Sequence, residues 1–181
     1  MTKKNSNGGM SVKTIVMTAL MAALTCIATM VIHIPTPGTG GYVNLGDGFV
    51  ITSAVLLGPG YGFLAGGIGS MLADLLSGYP TYAPGTFVIK GLAALVSGFV
   101  YLALTKHVFE RKKPVAVVIS AIASGAVVTG GYFLYESTLL GYGMGAAASI
   151  PANLLQNLAG LIIAVLLCPV LSMIQKQAQN A

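Results

Sequence analysis

Lys90 lies in an apolar run from Pro84 to Thr105 that contains no other charge. A lysine at the centre of a membrane helix costs about 2.5–3.5 kcal/mol on insertion scales, so it needs a partner or a wet cavity. Asn153, Gln156 and Asn157 recur at i, i+3 and i+4 within another apolar run, which places three amides on one helix face. One amide in such a helix commonly serves as interhelical glue; three at one depth line a polar cavity. Asp47, Asp74 and Glu136 each stand at the edge of an apolar run, and tyrosines cluster near them at 42, 79, 82, 132, 135 and 142. Together these side chains offer a cation, carboxylates, amides and aromatic rings, which suits binding of a small, polar, ring-bearing solute. Plainer readings stand beside this one. Asp47 caps a helix N-terminus, the tyrosines form an interfacial belt, and Lys90 snorkels outward or bridges to Asp74 or Glu136.

Catalytic chemistry has no comparable set. His33 and His107 fall at opposite ends of different apolar runs, no His/Cys/carboxylate group has metal-ligand spacing, and no phosphate-binding glycine loop is present. The chain therefore reads as a non-enzyme that holds no cofactor or metal and hydrolyses no ATP itself. Cys26 and Cys168 fall at different membrane depths and read as small buried hydrophobes rather than a disulfide.

The elements that must position these residues are membrane helices. The sequence is 55% hydrophobic and 7% charged with mean hydropathy +0.85, whereas soluble domains carry about 25% charged residues. Apolar stretches run from about 12 to 34, 47 to 57, 61 to 76, 84 to 105, 114 to 136 and 150 to 174. Most have the length a helical crossing needs, not the roughly ten alternating residues of a barrel strand. The second is too short for a straight crossing. The reading is an all-α integral membrane protein with six transmembrane helices in one membrane domain over 12–174. Polar tails flank it at 1–11, read as disordered, and at 175–181. The first stretch exceeds the apolar core of a signal peptide and more spans follow, so it reads as a retained helix.

Basic residues set the orientation. Lys3, Lys4 and Lys13 precede the first span, Lys106, Arg111, Lys112 and Lys113 fill the break after the fourth, and Lys176 follows the last. The breaks near 35–46, 77–84 and 137–149 contain no Lys or Arg. The positive-inside rule then places both termini in the cytoplasm. The net charge of +5 lies on these flanks and meets lipid headgroups, not nucleic acid. In this topology Lys90, the three carboxylates, the amides and the tyrosines all share the external leaflet. The inner half offers no continuing polar path, which excludes an ion channel. On the first span, Ala19 and Ala23 form a small-xxx-small pair, with Thr18 and Ala22 beside it. Such a face admits close approach of another helix, either within the bundle or from a partner.

The order and spacing of several segments resemble the substrate-binding S components of energy-coupling factor (ECF) vitamin transporters. They are Ala19-xxx-Ala23, Tyr42-Val-Asn-Leu-Gly-Asp47, the glycine-rich run Gly58–Gly67 with Ala73-Asp74, Ile89-Lys90-Gly91, Gly130–Glu136 and Ile150-Pro-Ala-Asn153. The resemblance covers the chain after residue 11. It implies a six-helix S-component fold in the bacterial plasma membrane that captures a vitamin externally. It also implies a transmembrane scaffold (T) subunit and two cytoplasmic ATPases carrying ATP and Mg²⁺. Ala19 and Ala23 match the family's scaffold contact. The subgroup resembles pyridoxine- and hydroxymethylpyrimidine-type members, with pantothenate as the competing substrate and Lys90 as its carboxylate partner. The substrate-binding set expected on this basis is Asn44, Tyr82, Lys90, Tyr132, Glu136, Asn153 and Asn157, with Tyr135 as a further stacking ring. The rival from another class is a stand-alone secondary transporter coupled to protons through Asp74 or Glu136.

Overall fold

The computed structural model describes residues 11–36, 39–107 and 113–180. Most of the N-terminal tail and the Arg111–Lys112 part of the basic break lie outside the described residues. Among the described residues six α-helices carry the fold: α1 Val12–Val31, α2 Gly46–Leu57, α3 Pro59–Leu76, α4 Ala83–His107, α5 Lys113–Leu134 and α6 Ile150–Asn180. A two-residue hairpin, β1 Ile34–Pro35 with β2 Tyr42–Val43, joins α1 to α2. Among the described residues four stretches, Val12–Val31, Ala83–Lys106, Lys113–Leu139 and Gly143–Met173, are long and apolar enough to cross a membrane, and α2 is a shorter apolar helix.

The first helix ends three residues before the expected Ile34. The residue preceding a proline is pushed away from the α region, and Ile34 precedes Pro35. Ile32 is already extended (φ −123°, ψ 115°), and the chain turns into the hairpin. The α2–α3 corner is a single residue, Gly58 at φ +83°, followed by Pro59 at the first helical position. Glycine adopts that left-handed backbone without a Cβ penalty, and proline starts the next helix without wasting an N–H. At its far end α5 passes into a π-helical turn, Tyr135–Leu139, and then a 3₁₀ segment, Gly143–Ser149, leads into α6. α6 continues as helix to Asn180, past the expected end of the last span at 174.

The packing inverts that of a soluble protein. Large apolar side chains such as Ile27, Ile122, Leu155 and Leu166 face outward, as a lipid surface requires. The interior is built from Ala65, Ala93, Ala94, Ala116 and Ala164, all fully buried. Small residues allow backbone-to-backbone approach where no hydrophobic force drives helices together. α2 shows this most clearly. It packs against α1, α3, α4 and α6, and its residues from Gly46 to Ala54 are buried except Phe49. Its 12 residues span only about 18 Å at 1.5 Å per residue, well short of the ~30 Å hydrocarbon core. The short helix is therefore an internal element, sheathed by longer ones. Gly160 of α6 lets it sit so close: a Cβ there would lie 2.7 Å from Asp47 Cβ.

Candidate functional site: a polar cavity at one end of the bundle

Alternation of helix direction brings six helix ends together. The C-terminal ends of α1, α3 and α5 and the N-terminal ends of α2, α4 and α6 enclose one cavity, lined by Thr29, Asn44, Ser70, Asp74, Tyr82, Thr86, Lys90, Tyr132, Glu136, Ser149, Asn153 and Gln156. The hairpin contributes Thr36, Gly41 and Tyr42 as a cover. A Cβ at Gly41 would lie 3.4 Å from Glu136 Oε1 and 3.6 Å from the Tyr82 ring, so the loop rests directly on those groups. The free volume among these side chains is about 30 Å³.

Lys90 is 2% exposed and forms an ion pair with Asp47, whose side chain is 4% exposed. The plainer reading of a bridge to Asp74 or Glu136 is corrected, since neither is the partner. The reason is α2: it lies against α4, and its first turn delivers Asp47 to the depth of Lys90. Asp47 is thus more than a helix cap. Its second oxygen accepts a hydrogen bond from Gln156 Nε2 (2.8 Å), while Gln156 Oε1 accepts one from the Asn44 backbone N–H (2.8 Å). Asn44 Oδ1 in turn accepts from the Gly46 N–H at the start of α2 (2.9 Å). The Lys90 ammonium also lies 5.5 Å from the Tyr132 ring centroid, within cation–π range. A buried charge pair whose carboxylate is further hydrogen-bonded is the arrangement low dielectric favours.

A second cluster surrounds Glu136, which the π turn carries inward to 2% exposure. Tyr82 donates to Glu136 Oε1 (3.1 Å) and Ser149 donates to Oε2 (2.5 Å). A third surrounds Asp74. Tyr42 donates its phenol proton to Asp74 Oδ1 (2.5 Å), and its ring centroid lies 3.8 Å from that of His33 and 4.7 Å from that of Tyr79. Burial, reinforced by the neighbouring carboxylates, pushes the Tyr42 and Tyr82 hydroxyls well above the ordinary phenol range. Both therefore act as neutral donors. Thr86 Oγ1 and Tyr132 OH are hydrogen-bonded across the cavity wall at 2.9 Å.

Of the expected ligand set, Asn44, Tyr82, Lys90, Tyr132, Glu136 and Asn153 meet in this cavity. Asn157 does not. Its Nδ2 donates to Gly125 O (2.9 Å) and Thr129 Oγ1 (2.8 Å), tying α6 to α5. A single step along α6 separates the two roles: Gln156 faces the cavity and Asn157 faces a neighbouring helix. Tyr135 is also elsewhere, donating to Thr81 O (2.6 Å). Asp47, Asp74 and Gln156 were polar residues in view at the right depth. Ser70, Thr86 and Ser149 were not, because isolated hydroxyls in apolar helices usually bond their own backbone. Ala19 and Ala23 lie on the outer face, in an apolar groove shared with Ile15, Tyr61, Leu64, Ile68 and Leu72.

A polar cavity in a membrane helix bundle, lined by donors, acceptors and rings but by no His or Cys, suits a solute-binding membrane protein. No cluster of metal-ligating groups occurs among the described residues. The chain belongs to the S-component family of ECF transporters: residues 9–173 match the family described as ECF-type riboflavin transporter, S component. It is a multi-pass membrane protein and the substrate-binding subunit of a transporter family. A thiamine precursor transporter, HmpT of Lactococcus lactis subsp. cremoris, is 26% identical over 89% of each chain. An uncharacterized Pyrococcus woesei protein is 36% identical over 76% of this chain and 86% of its own length. The fold superposes on the solved S component of a bacterial ECF transporter with a TM-score of 0.66 at 18% identity, covering 91% of this chain and 98% of that one.

Proposed function

We propose that this chain captures a small, neutral, ring-bearing vitamin or precursor, of the hydroxymethylpyrimidine or pyridoxine type, for an ATP-driven importer. The observation that carries the substrate assignment is the Lys90–Asp47 pair. It leaves the cavity wall with no uncommitted cation, while Asp74 and Glu136 add further carboxylates. A free anion such as pantothenate would enter against that charge and find no partner. Tyr82 and Tyr132 offer ring faces, and Asn44, Asn153 and Gln156 offer polar edges. Similarity to the Lactococcus thiamine precursor transporter supports the same substrate class.

Six crossings with both termini cytoplasmic fit the basic flanks, since Lys106 and Lys113 bound the break at the end of the bundle opposite the cavity. The cavity then faces outside. ATP and Mg²⁺ belong to two ATPase partners, joined through a transmembrane scaffold that meets α1 at Ala19 and Ala23. Native mass spectrometry of the detergent-purified subunit, with any released small molecule identified, tests the assignment. A pyrimidine or pyridine vitamin supports it. Co-purified pantothenate or riboflavin overturns the substrate class, and uptake that stops with an uncoupler but survives ATP depletion overturns the importer.

A further inference from the structure

Two buried polar atoms in the cavity wall have no partner: Asp74 Oδ2 and Ser70 Oγ. Their residues are 3% and 1% exposed. Buried polar groups are nearly always hydrogen-bonded, because leaving one unmade costs about 1–3 kcal/mol. The two neighbouring carboxylates have a partner on each oxygen. Asp47 holds Lys90 and Gln156, and Glu136 holds Tyr82 and Ser149. Asp74 has Oδ1 fixed by Tyr42, while Oδ2 makes no hydrogen bond of good geometry, with the Thr86 hydroxyl as its neighbour across the wall. Ser70 and Asp74 are four residues apart on α3, so their side chains stand on one face with Cβ atoms roughly 6 Å apart.

We infer that Ser70 and Asp74 form the specificity edge of the site and read an amino-substituted heterocycle. This inference rests on the vitamin-capture reading above. Asp74 Oδ2 accepts an N–H from the exocyclic amino group, and the Ser70 hydroxyl donates to the adjacent ring nitrogen. Tyr42 is a positioning residue: its phenol occupies Oδ1 and leaves Oδ2 aimed at the ligand. The carboxylate disfavours the corresponding oxo compound, whose carbonyl oxygen would face Asp74 Oδ2 with no proton between them; Ser70, which can donate or accept, does not discriminate by itself. A site built on such hydrogen bonds discriminates more strongly than one built on shape.

The test is isothermal titration of the full chain in nanodiscs with two probes, 4-amino-5-hydroxymethyl-2-methylpyrimidine and its 4-oxo analogue. The wild-type protein should bind the amino probe at least about 100-fold more tightly. Asp74→Asn presents an amide N–H₂ in place of the open oxygen, and the preference should collapse to within about tenfold. Ser70→Ala removes an unpartnered hydroxyl, so it should keep the thermal midpoint while weakening the amino probe about tenfold. It serves as the readout should Asp74→Asn fail to fold. If the amino probe binds and neither substitution moves its affinity, the specificity edge is wrong and vitamin capture stands. Binding of riboflavin or pantothenate without binding of the amino probe likewise overturns the edge and leaves vitamin capture standing. If none of these compounds binds the wild-type chain, both readings fall.

Discussion

Replacing Lys90 by methionine separates two roles that a buried lysine can have. Methionine keeps the length and apolar stem while removing the charge. Asp47 would then remain at 3% exposure with a single side-chain partner, Gln156 Nε2 at 2.8 Å. Removing one member of a buried ion pair costs about 3–5 kcal/mol, because the survivor is left uncompensated. For a chain of this length that lowers the thermal midpoint by on the order of 10 °C. The paired replacement Lys90→Met with Asp47→Leu removes both charges and should return to within about 1–2 kcal/mol of wild type, since such pairs exchange for apolar groups at small net cost. Thermal unfolding in one detergent, followed by tyrosine fluorescence because the chain has no tryptophan, measures all four corners of the cycle. Were Lys90 instead the anchor for an anionic ligand, Lys90→Met would abolish binding and leave the ligand-free midpoint nearly unchanged. A shift of less than about 2 °C, worth under 1 kcal/mol here, refutes the structural pairing and restores the anion-binding reading.

Three other perturbations follow from the packing. Asn157→Ala should cost about 1 kcal/mol, the scale of an interhelical hydrogen bond in a membrane, and leave ligand affinity within about threefold, as titration would record. Gly160→Ala places a methyl 2.7 Å from Asp47 Cβ; overpacking of this kind costs about 1–3 kcal/mol, and because it pushes α6 off α2 it should weaken binding too. Leucine at both Ala19 and Ala23 should leave binding by the isolated subunit unchanged and abolish uptake when scaffold and ATPases are co-expressed. Transport that survives the double substitution removes that face from the partner interface.

Much of this fold was legible because a membrane imposes few choices. Basic flanks, proline stops and glycine corners located the helices to within a few residues, and alternating direction then required the polar residues at alternate helix ends to share one end of the bundle. Contact pairing was another matter. Lys90 had three carboxylates within reach by depth, and depth alone does not rank them. The decision rests on α2 packing as a short internal helix, which its 12 residues announce only once the other helices enclose it. The division between Gln156 and Asn157 failed for a similar reason. A face of three amides spans about 100° of helix, enough to reach both a cavity and a neighbour. Glu136 was found near a helix end, but the π turn that carries it inward leaves no periodic mark in sequence.

The site also separates into parts of unequal stability. The Lys90–Asp47–Gln156 network, Ser70 and Thr86 are borne on helices packed against one another. The cover hangs on fewer bonds: Thr36 N–H to Gly41 O (3.0 Å), Tyr42 to Asp74, and Asn44 N–H to Gln156. With about 30 Å³ free, the cavity has room for a water or two, and a substituted ring enters only when the cover or its tyrosines move. Tyr42 belongs to both parts, since it lies in the hairpin and holds Asp74 on α3. A ligand that engages the open oxygen of Asp74 thereby acts on the same carboxylate that latches the cover. Recognition and closure are coupled through one side chain, so a ligand unable to donate to Asp74 should bind weakly and also leave the hairpin less protected from hydrogen exchange.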